Sequence, residues 1–325
     1  MSTPLVSILL PVYNPDERFK TALDSLVNQT YSNIEIIILD DGSHPVIKKI
    51  NSDSRIQWHH FSHRGLAEVL NHGIKLARGK YIARMDADDC SSQKRIEKQV
   101  NCLESYPATD LVATQVFEPE PGSGIYQYIK WQNNLCTHND IFNQRFVDAP
   151  LVHPTIMTRS DSFKKYGEYS EENIPEDFDL WLRWLEKGAT FFKIRESLLH
   201  WSDHSGRLTR THPNYARETF FEVKARYFAK WFNESGIKSP LWICGTGTKV
   251  FKRSALLEKN GLTIEGYIDV KRTMSLRNVI SYEEISNLDS PFICSYVSDW
   301  SGRIKIQKFL NNRGFQEGVN FYMMA

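Results

Sequence analysis

The chain has 325 residues, a formal net charge of +1 and 41% hydrophobic residues, which is typical of a soluble globular protein with one large or two ordinary domains. The near-neutral charge excludes a bulk electrostatic basis for nucleic-acid or strong membrane binding, and we find neither a bilayer-spanning apolar run nor a signal peptide. Five cysteines without a Cys-x-x-Cys pair predict reduced thiols in a cytoplasmic protein, and no disulfide framework or zinc site.

The N-terminal part of the chain alternates between apolar runs and helical spacing. The apolar runs predict strands at 5–10, 34–39, 56–61 and 81–83. The helical spacing predicts helices at 17–29, 45–51, 65–77 and 91–103. This order predicts a parallel sheet covered by helices, in which ligands bind beyond the carboxyl ends of the strands. Asn14, Asp41, Asp86 and Asp88 all fall at those ends.

The middle of the chain is less regular, and a second α/β pattern follows it. Strands are predicted at 110–117, 151–157, 191–194 and 198–202, and helices at 135–147, 180–187 and 214–232. The segment 233–240 is the best candidate for a linker. We therefore predict two domains, one at 1–232 and a small α/β domain at 240–325.

Three carboxylates directly follow the strand at 81–83. Asp86 and Asp88 are two positions apart, so both can turn toward one point, and Asp89 comes next. Mg²⁺ and Mn²⁺ prefer oxygen ligands and leave coordination positions for water and substrate phosphates. The pattern therefore suggests a metal clamp on a diphosphate. Taken alone, it is better explained by a solvated acidic turn in which Asp88 or Asp89 caps the next helix.

Five motifs together resemble a family 2 glycosyltransferase with the GT-A fold. The motifs are VSILLPVYN at 6–14, SLVNQTY at 25–31, EIIILDDGS at 35–43, GKYIARMDADD at 79–89 and EDFDLWLR at 176–183. The resemblance covers roughly the first two thirds of the chain. It implies a Rossmann-like α/β domain with a mostly parallel sheet that binds a nucleotide-sugar.

The resemblance implies a donor pocket at the first two strand ends. Asp41 would accept a hydrogen bond from the uracil ring of a UDP-sugar. Pro11, Tyr13 and Asn14 would line the same nucleotide pocket. The alternative for Asp41 is a plain cap of the Asp-Gly turn.

The resemblance also implies a metal site for Mn²⁺ or Mg²⁺. Asp88 would be the direct ligand, and Asp86 would lie beside it at the ribose and the diphosphate. The cation would neutralise charge that grows on the leaving nucleotide. His204 could touch the metal or the diphosphate, or be an ordinary loop histidine, and Arg207 could counter phosphate charge. Ser202 departs from the arginine that related enzymes carry in this segment.

The fifth motif implies the catalytic base. Inversion by direct displacement needs a carboxylate that takes the proton of the acceptor hydroxyl, and we assign this role to Asp177. The positive end of a helix would keep Asp177 ionised. Glu176 would help to orient the acceptor. Alternatively, Glu176 and Asp177 could simply stabilise a helix start. His153 would line the acceptor site or be buried and hydrogen-bonded.

The segment at 180–184 departs from processive members of the family. Leu180 replaces the glutamine of their Gln-x-x-Arg-Trp motif, which favours transfer of a single sugar. We therefore expect an inverting, metal-dependent, non-processive transferase. It would move one sugar from a nucleotide-sugar to a glycan or lipid-linked acceptor in bacterial surface polysaccharide synthesis. A UDP-sugar is the leading candidate for the donor. An inactive nucleotide-sugar-binding scaffold is the alternative.

The C-terminal pattern resembles half of a Rossmann fold. Gly245 and Gly247 lie in its first turn and Asp269 ends its second strand, but Val250 takes the place of the third glycine. We predict that this domain is a docking module through which the chain could form a homo-oligomer. The alternative is an oxidoreductase that binds NAD through this domain. We expect a cytoplasmic protein that binds no nucleic acid, and leave open a peripheral association with the inner face of the membrane.

Overall fold

A computed structural model of the protein describes residues 3–270 and 278–325. The chain divides into two compact units, the first formed by 1–138 and 151–211 and the second by 139–150 and 212–325. The predicted domain boundary at 233–240 stays a prediction. The division between the compact units falls earlier, after Thr211.

The first unit is organised around a mixed, mostly parallel sheet. Its strands are β1 (Val6–Val12), β2 (Ile34–Asp40), β3 (Ile56–His60), β4 (Tyr81–Arg84), β5 (Cys90–Ser91), β6 (Leu111–Val116), β7 (Met157–Arg159) and β8 (Phe191–His200). Among the described residues their order is β3-β2-β1-β4-β7-β6-β8-β5. The pairs from β3 to β4 and the pair β6-β8 are parallel, whereas β7 and β5 pair antiparallel with their neighbours. The predicted α/β fold class is confirmed.

Helices with an apolar face flank this sheet. They are α1 (Arg18–Val27), α2 (Leu66–Leu76), α3 (Arg95–Ser105), α4 (Tyr126–Asn134), α6 (Ser160–Tyr166) and α7 (Glu176–Glu186). Two shorter helices are α5 (His138–Asn143) and α8 (Leu208–Thr211), and α8 buries none of its residues. In α1 the positions at helical spacing, Phe19, Leu23 and Leu26, are buried in the main hydrophobic core. The helix α5 begins at the boundary between the two units.

Several predicted elements differ from the structure. Residues 45–51 form no helix, and the predicted helix at 135–147 is reduced to α5. The strands predicted at 191–194 and 198–202 are one strand, β8.

The strand β1 continues through Pro11, because β4 pairs with β1 only as far as Leu9 and the proline loses no ladder bond on that side. The helix α3 begins at Arg95 with Lys94 as N-cap, so the expectation that Asp88 or Asp89 caps it is wrong.

The second unit contains a parallel sheet with helices around it. Its strands are β9 (Leu241–Cys244), β10 (Ile264–Asp269), β11 (Val279–Ser281), β12 (Phe292–Ser295) and β13 (Phe321–Met323), and its longer helices are α9 (Arg217–Glu234), α10 (Thr248–Lys259) and α11 (Trp300–Asn311). The order among the described strands is β11-β10-β9-β12-β13, with parallel pairing throughout. The predicted small Rossmann-like sheet is therefore confirmed. Across residues 3–270 and 278–325, each helix is too short or too polar to cross a membrane.

The side chain of Asp269 is already engaged within the second unit. Its Oδ2 accepts hydrogen bonds from the backbone N and the Oγ1 of Thr246, at 2.7 and 2.6 Å. Asp269 therefore fixes the Gly245–Gly247 turn. Val250 packs 3.0 Å from the position that a Cβ on Gly245 would take.

A buried carboxylate ties β1, β2 and the start of β4 together. Glu35 is 2% exposed, and it accepts hydrogen bonds from the Oγ of Ser7 at 2.6 Å and from the backbone N of Arg78 at 2.8 Å. The Ser7 hydroxyl oxygen in turn accepts the backbone N–H of Gly79 at 2.8 Å. These bonds lower the pKa of Glu35 below its usual value, although burial alone would raise it.

We expect the substitution Glu35→Gln to lower the free energy of unfolding by about 2 kcal/mol. The amide turns an N–H group toward donors that need an acceptor, so buried groups lose their partners. Urea denaturation followed by circular dichroism measures the change. Glu196→Gln removes an exposed carboxylate that pairs with Lys98 and should cost less than about 1 kcal/mol. Equal losses in the two variants would contradict the buried role of Glu35.

Candidate functional site

The three carboxylates that follow β4 converge. One ligand oxygen from each of Asp86, Asp88 and Asp89 lies within 4.8 Å of the others. The backbone N of Met85 still bonds to Leu9 O of β1, so the turn begins directly at the sheet edge. The structure therefore brings together the cluster that the sequence placed at this strand end.

His204 lies against this cluster. Its Nε2 is 2.6 Å from Oδ2 of Asp88, and its Nδ1 is 3.3 Å from Nη2 of Arg18. Arg18 is held in turn by Asp16, whose pKa is lowered to about 2 chiefly by that hydrogen bond. His204, in a loop far along the chain, thus reaches the carboxylates that follow β4. Its part in metal or diphosphate binding stays a prediction.

Asp89 is the most deeply buried carboxylate of the cluster. Its Oδ1 accepts the backbone N–H of Ser202 at 2.8 Å, while its Oδ2 is buried without a hydrogen-bond partner. Burial, together with the charges of Asp86 and Asp88, raises the pKa of Asp89 well above its usual value. Arg207 opposes this rise, and its guanidinium stacks 3.6 Å from the ring centre of Trp201. Within the cluster, Asp89 is therefore the carboxylate whose charged form burial and its neighbours disfavour.

Two buried arginines lie beneath the carboxylates. Arg84, the last residue of β4, is 3% exposed and donates a hydrogen bond to Asp86. Arg95 is fully buried and donates from Nη1 to the carbonyl oxygens of Pro154 and Arg84. Burial lowers the pKa of Arg95 to about 10, although Asp89 opposes the change. Both guanidinium groups stay charged, and they face the acidic strand end from the core side.

Asp177 lies at the start of α7, within the electrostatic reach of the same groups. The residue is partly exposed, but desolvation of its carboxyl group raises its pKa to about 6, and Asp86 contributes to the rise. The backbone N of Phe178 and the charge of Arg84 both oppose the rise. We expected the helix start to keep Asp177 fully ionised; burial outweighs that effect.

Glu176 and His153 form a buried pair next to Asp177. Nδ1 of His153 lies 3.8 Å from Oε1 of Glu176, and its Nε2 lies 2.7 Å from the hydroxyl of Tyr169. Burial, aided by the charge of Arg84, lowers the pKa of His153 well below its usual value, so the ring is neutral. The structure therefore has His153 buried and hydrogen-bonded, and an acceptor role for the pair stays a prediction.

The predicted nucleotide residues form a separate group at the ends of β1 and β2. The carboxylate of Asp41 accepts the backbone N–H groups of Arg64 at 2.7 Å and Gly65 at 3.0 Å. Tyr13 is 52% exposed and stacks on His63, with ring centres 4.4 Å apart. Asp41 thus fastens the loop before α2 to the end of β2.

Two further residues of this group differ in exposure. Asn14 adopts a positive φ of 45°, which asparagine tolerates better than most residues. Its side chain accepts the backbone N–H of His44, and its own backbone N donates to Ser43 Oγ, both at 2.8 Å. Pro11 is buried within β1. Asn14 therefore joins the β1 and β2 ends, whereas Pro11 supports them from inside the sheet.

Sequence reasoning missed several residues that shape the site. Arg84 could have been recognised as a charge at the end of an otherwise apolar buried strand. The sequence marks Ser202 only as a departure from the arginine of related enzymes, and Arg18 and Tyr169 give no signal, since each contacts a residue of another segment. Only the folded chain brings these groups to the carboxylates.

Comparisons with known proteins agree on one family. The family model described as glycosyl transferase family 2 matches residues 7–167. An uncharacterized glycosyltransferase of Rickettsia typhi is 30% identical over 224 residues, which cover 66% of this chain and 69% of the relative. The putative glycosyltransferase EpsE of Bacillus subtilis is 29% identical over 229 residues, covering 66% of this chain and 79% of the relative.

The solved structures point to the same fold. Residues 1–349 of TarS from S. aureus, crystallised with UDP-GlcNAc, align with a TM-score of 0.56 at 15% sequence identity. The alignment covers 78% of this chain and 71% of the TarS chain. At this identity the likeness establishes the fold.

We expect Arg84→Met to lower the free energy of unfolding by about 3 kcal/mol at pH 8, because it leaves Asp86 without its cation. The loss should shrink toward pH 5, since Asp177, whose charged form Arg84 also stabilises, has a pKa of about 6 and is protonated below it. Urea denaturation at both pH values measures this. Arg84→Lys keeps the charge and should lose less. A loss that does not depend on pH would show that Arg84 acts through packing alone.

Proposed function

The chain belongs to glycosyl transferase family 2, and from that premise we propose an inverting, metal-dependent enzyme that transfers one sugar from a UDP-sugar. The observation that carries the proposal is the pairing of a convergent carboxylate cluster with a partly exposed aspartate whose pKa is about 6. The cluster suits a metal-bound diphosphate, and the aspartate suits a base.

The residues of the cluster fit a hard divalent cation. Oxygens of Asp86, Asp88 and Asp89 lie close together, and the buried Oδ2 of Asp89 has no hydrogen-bond partner. Carboxylate oxygens are the donor set that Mg²⁺ and Mn²⁺ prefer. We propose that Asp88 holds the cation, with Asp86 and His204 beside it. When bound, the cation would neutralise charge on the departing diphosphate.

The donor nucleotide is proposed to bind at the ends of β1 and β2. Oδ1 of Asp41 accepts one backbone N–H and has a second lone pair for a ligand donor, whereas Oδ2 accepts a backbone N–H and also lies 2.9 Å from Nδ1 of His63. The exposed Tyr13 ring, stacked on His63, offers a flat surface for a base. TarS, whose fold this chain shares, was solved with UDP-GlcNAc, and a UDP-sugar is therefore the first donor to test.

Asp177 is proposed as the base. As the acceptor oxygen bonds to the anomeric carbon, the bond from that carbon to the phosphate oxygen breaks, and the acceptor proton passes to the Asp177 carboxylate. A pKa of about 6 leaves Asp177 ionised at neutral pH and a stronger base than an ordinary aspartate. Arg84 opposes any further rise, so the carboxylate remains available. Glu176 and His153 would support the acceptor side.

The acceptor is proposed to be a glycan or a lipid-linked saccharide in bacterial surface polysaccharide synthesis at the inner face of the membrane. This part rests on the sequence motifs. Leu180 in place of the processive glutamine favours one transfer for each acceptor. Arg207, near the carboxylates, would counter phosphate charge.

We expect Asp177→Asn to reduce the transfer rate by about a hundredfold or more, because an amide cannot take the acceptor proton. UDP release measures the rate. Donor binding, measured as the melting shift with UDP and Mn²⁺, should persist. Asp161→Asn makes the same change at an exposed site on α6 and should leave the rate unchanged.

The wild-type rate should also depend on pH near the pKa of Asp177. Because that pKa is raised to about 6, the base is protonated below it, and the rate should fall as pH drops from 7 to 5. A rate that stays flat over this range, or an Asp177→Asn variant of normal activity, would remove Asp177 from the mechanism.

We expect UDP to raise the melting temperature more strongly with Mn²⁺ than with EDTA, since a ligand that binds only the folded state stabilises it. Asp88→Ala should abolish the Mn²⁺-dependent part of the shift. Asp161→Ala, an exposed aspartate outside the cluster, should keep it. A shift of equal size with EDTA would contradict the metal site.

A further inference from the structure

A cavity of about 300 Å³ lies in the second unit. The side chains of Arg217, Lys224 and Arg303 line it, together with Asp148, the ring of Phe221 and Ala325, whose main-chain carboxylate is the second negative group there. None of these residues belongs to the proposed donor, metal or acceptor site. Cationic side chains thus outnumber carboxylate side chains among the described residues that line this cavity.

Lys224 is a buried cation in the lining of this cavity. It is 4% exposed, and its Nζ donates to the backbone carbonyls of Val147 at 2.7 Å and Met324 at 3.3 Å. An ammonium group has three hydrogens to donate, so one is left for a further acceptor. Burial and, to a smaller extent, nearby arginines lower the pKa of Lys224 to about 8, while Asp148 opposes the change.

Arg303, near the start of α11, has more donors than acceptors around it. Its Nε and Nη1 are buried and have no hydrogen-bond partner. Burial lowers the pKa of Arg303 to about 10, although Asp148 and Glu317 raise it. Glu317 is itself a weak counter-charge, because burial raises its pKa to about 7. Buried guanidinium nitrogens without acceptors are costly, and a bound anion would satisfy them.

Arg253 adds a further positive charge beside the residues that line the cavity. Arg253 stacks 3.9 Å from the ring centre of Phe221, and Nζ of Lys224 lies 4.6 Å from that centre. The charge of Arg217 lowers the pKa of Arg253 and of Lys224, so these cations repel one another. Gathering like charges around a cavity is unfavourable unless an anion joins them.

We propose that this cavity binds the phosphoryl group of a small anionic ligand, as a second site separate from sugar transfer. A phosphoryl group carries more than one negative charge and several acceptor oxygens, which suits a guanidinium fork and an ammonium group together. A single carboxylate would neutralise only part of the charge. The Phe221 ring provides an apolar wall for the remainder of the ligand.

Isothermal titration calorimetry of the full chain with pyrophosphate, in EDTA, tests this proposal. We expect saturable binding that weakens by about tenfold or more in Arg303→Gln, the loss of one charge-assisted hydrogen bond. Lys308→Gln makes a similar charge change at an exposed position on the same helix and should bind as the wild type does. Asp88→Ala should also bind normally, which separates this site from the donor site.

A second variant and a second probe complete the test. Lys224→Met keeps the length of the side chain without its charge and should also weaken binding, with circular dichroism used to confirm folding. Vesicles that contain phosphatidic acid distinguish a lipid headgroup from a soluble phosphorylated ligand. Failure of both probes to bind, or binding that Arg303→Gln leaves unchanged, overturns the proposal. Neither result would bear on the transferase activity.

Discussion

The acidic end of β4 depends on the buried positive charge of Arg84 and Arg95. Carboxylates that cluster at a sheet edge repel one another, and burial raises the cost of keeping them ionised. Arg84 donates to Asp86 from the core side, and Arg95 acts on Asp89 while backbone carbonyls hold its guanidinium. The fold can therefore present several carboxylates at one point because it has placed cations inside the hydrophobic core beneath them.

This single charge arrangement gives neighbouring groups different proton affinities. Asp89, deeply buried beside other carboxylates, has a strongly raised pKa, whereas the pKa of Asp177 rises only to about 6 because the backbone N of Phe178 and the charge of Arg84 oppose the effect of burial. The same cation helps to keep His153 neutral. The neighbouring charges therefore separate the two proton affinities, because Asp86 and Asp88 crowd Asp89 whereas Arg84 offsets the burial of Asp177.

The sequence predicted what depends on local pattern. Continuous apolar runs marked β1 and β2, and the spacing of Asp86 and Asp88 correctly indicated that their oxygens converge. It could not predict contacts that join distant segments, such as Ser202 on Asp89. The predicted break within β8 was also wrong, because the strand resumes its pairing with β6 at Ser197 after a register shift at the exposed Arg195 and Glu196. Partner strands, which the sequence does not specify locally, decided that element.

The two units use buried cations in opposite ways. In the first unit, the charge of Arg84 is matched by Asp86 and Asp177, so the cation stabilises carboxylates at the end of β4 and the start of α7. In the second unit, Lys224 and Arg303 line a cavity where Asp148 is a weaker counterweight, and part of the Arg303 guanidinium has no acceptor. A balanced cluster can remain stable alone, whereas an unbalanced one is stabilised by a ligand of opposite charge. That difference, rather than any shared motif, is the physical reason to expect a second ligand in this protein.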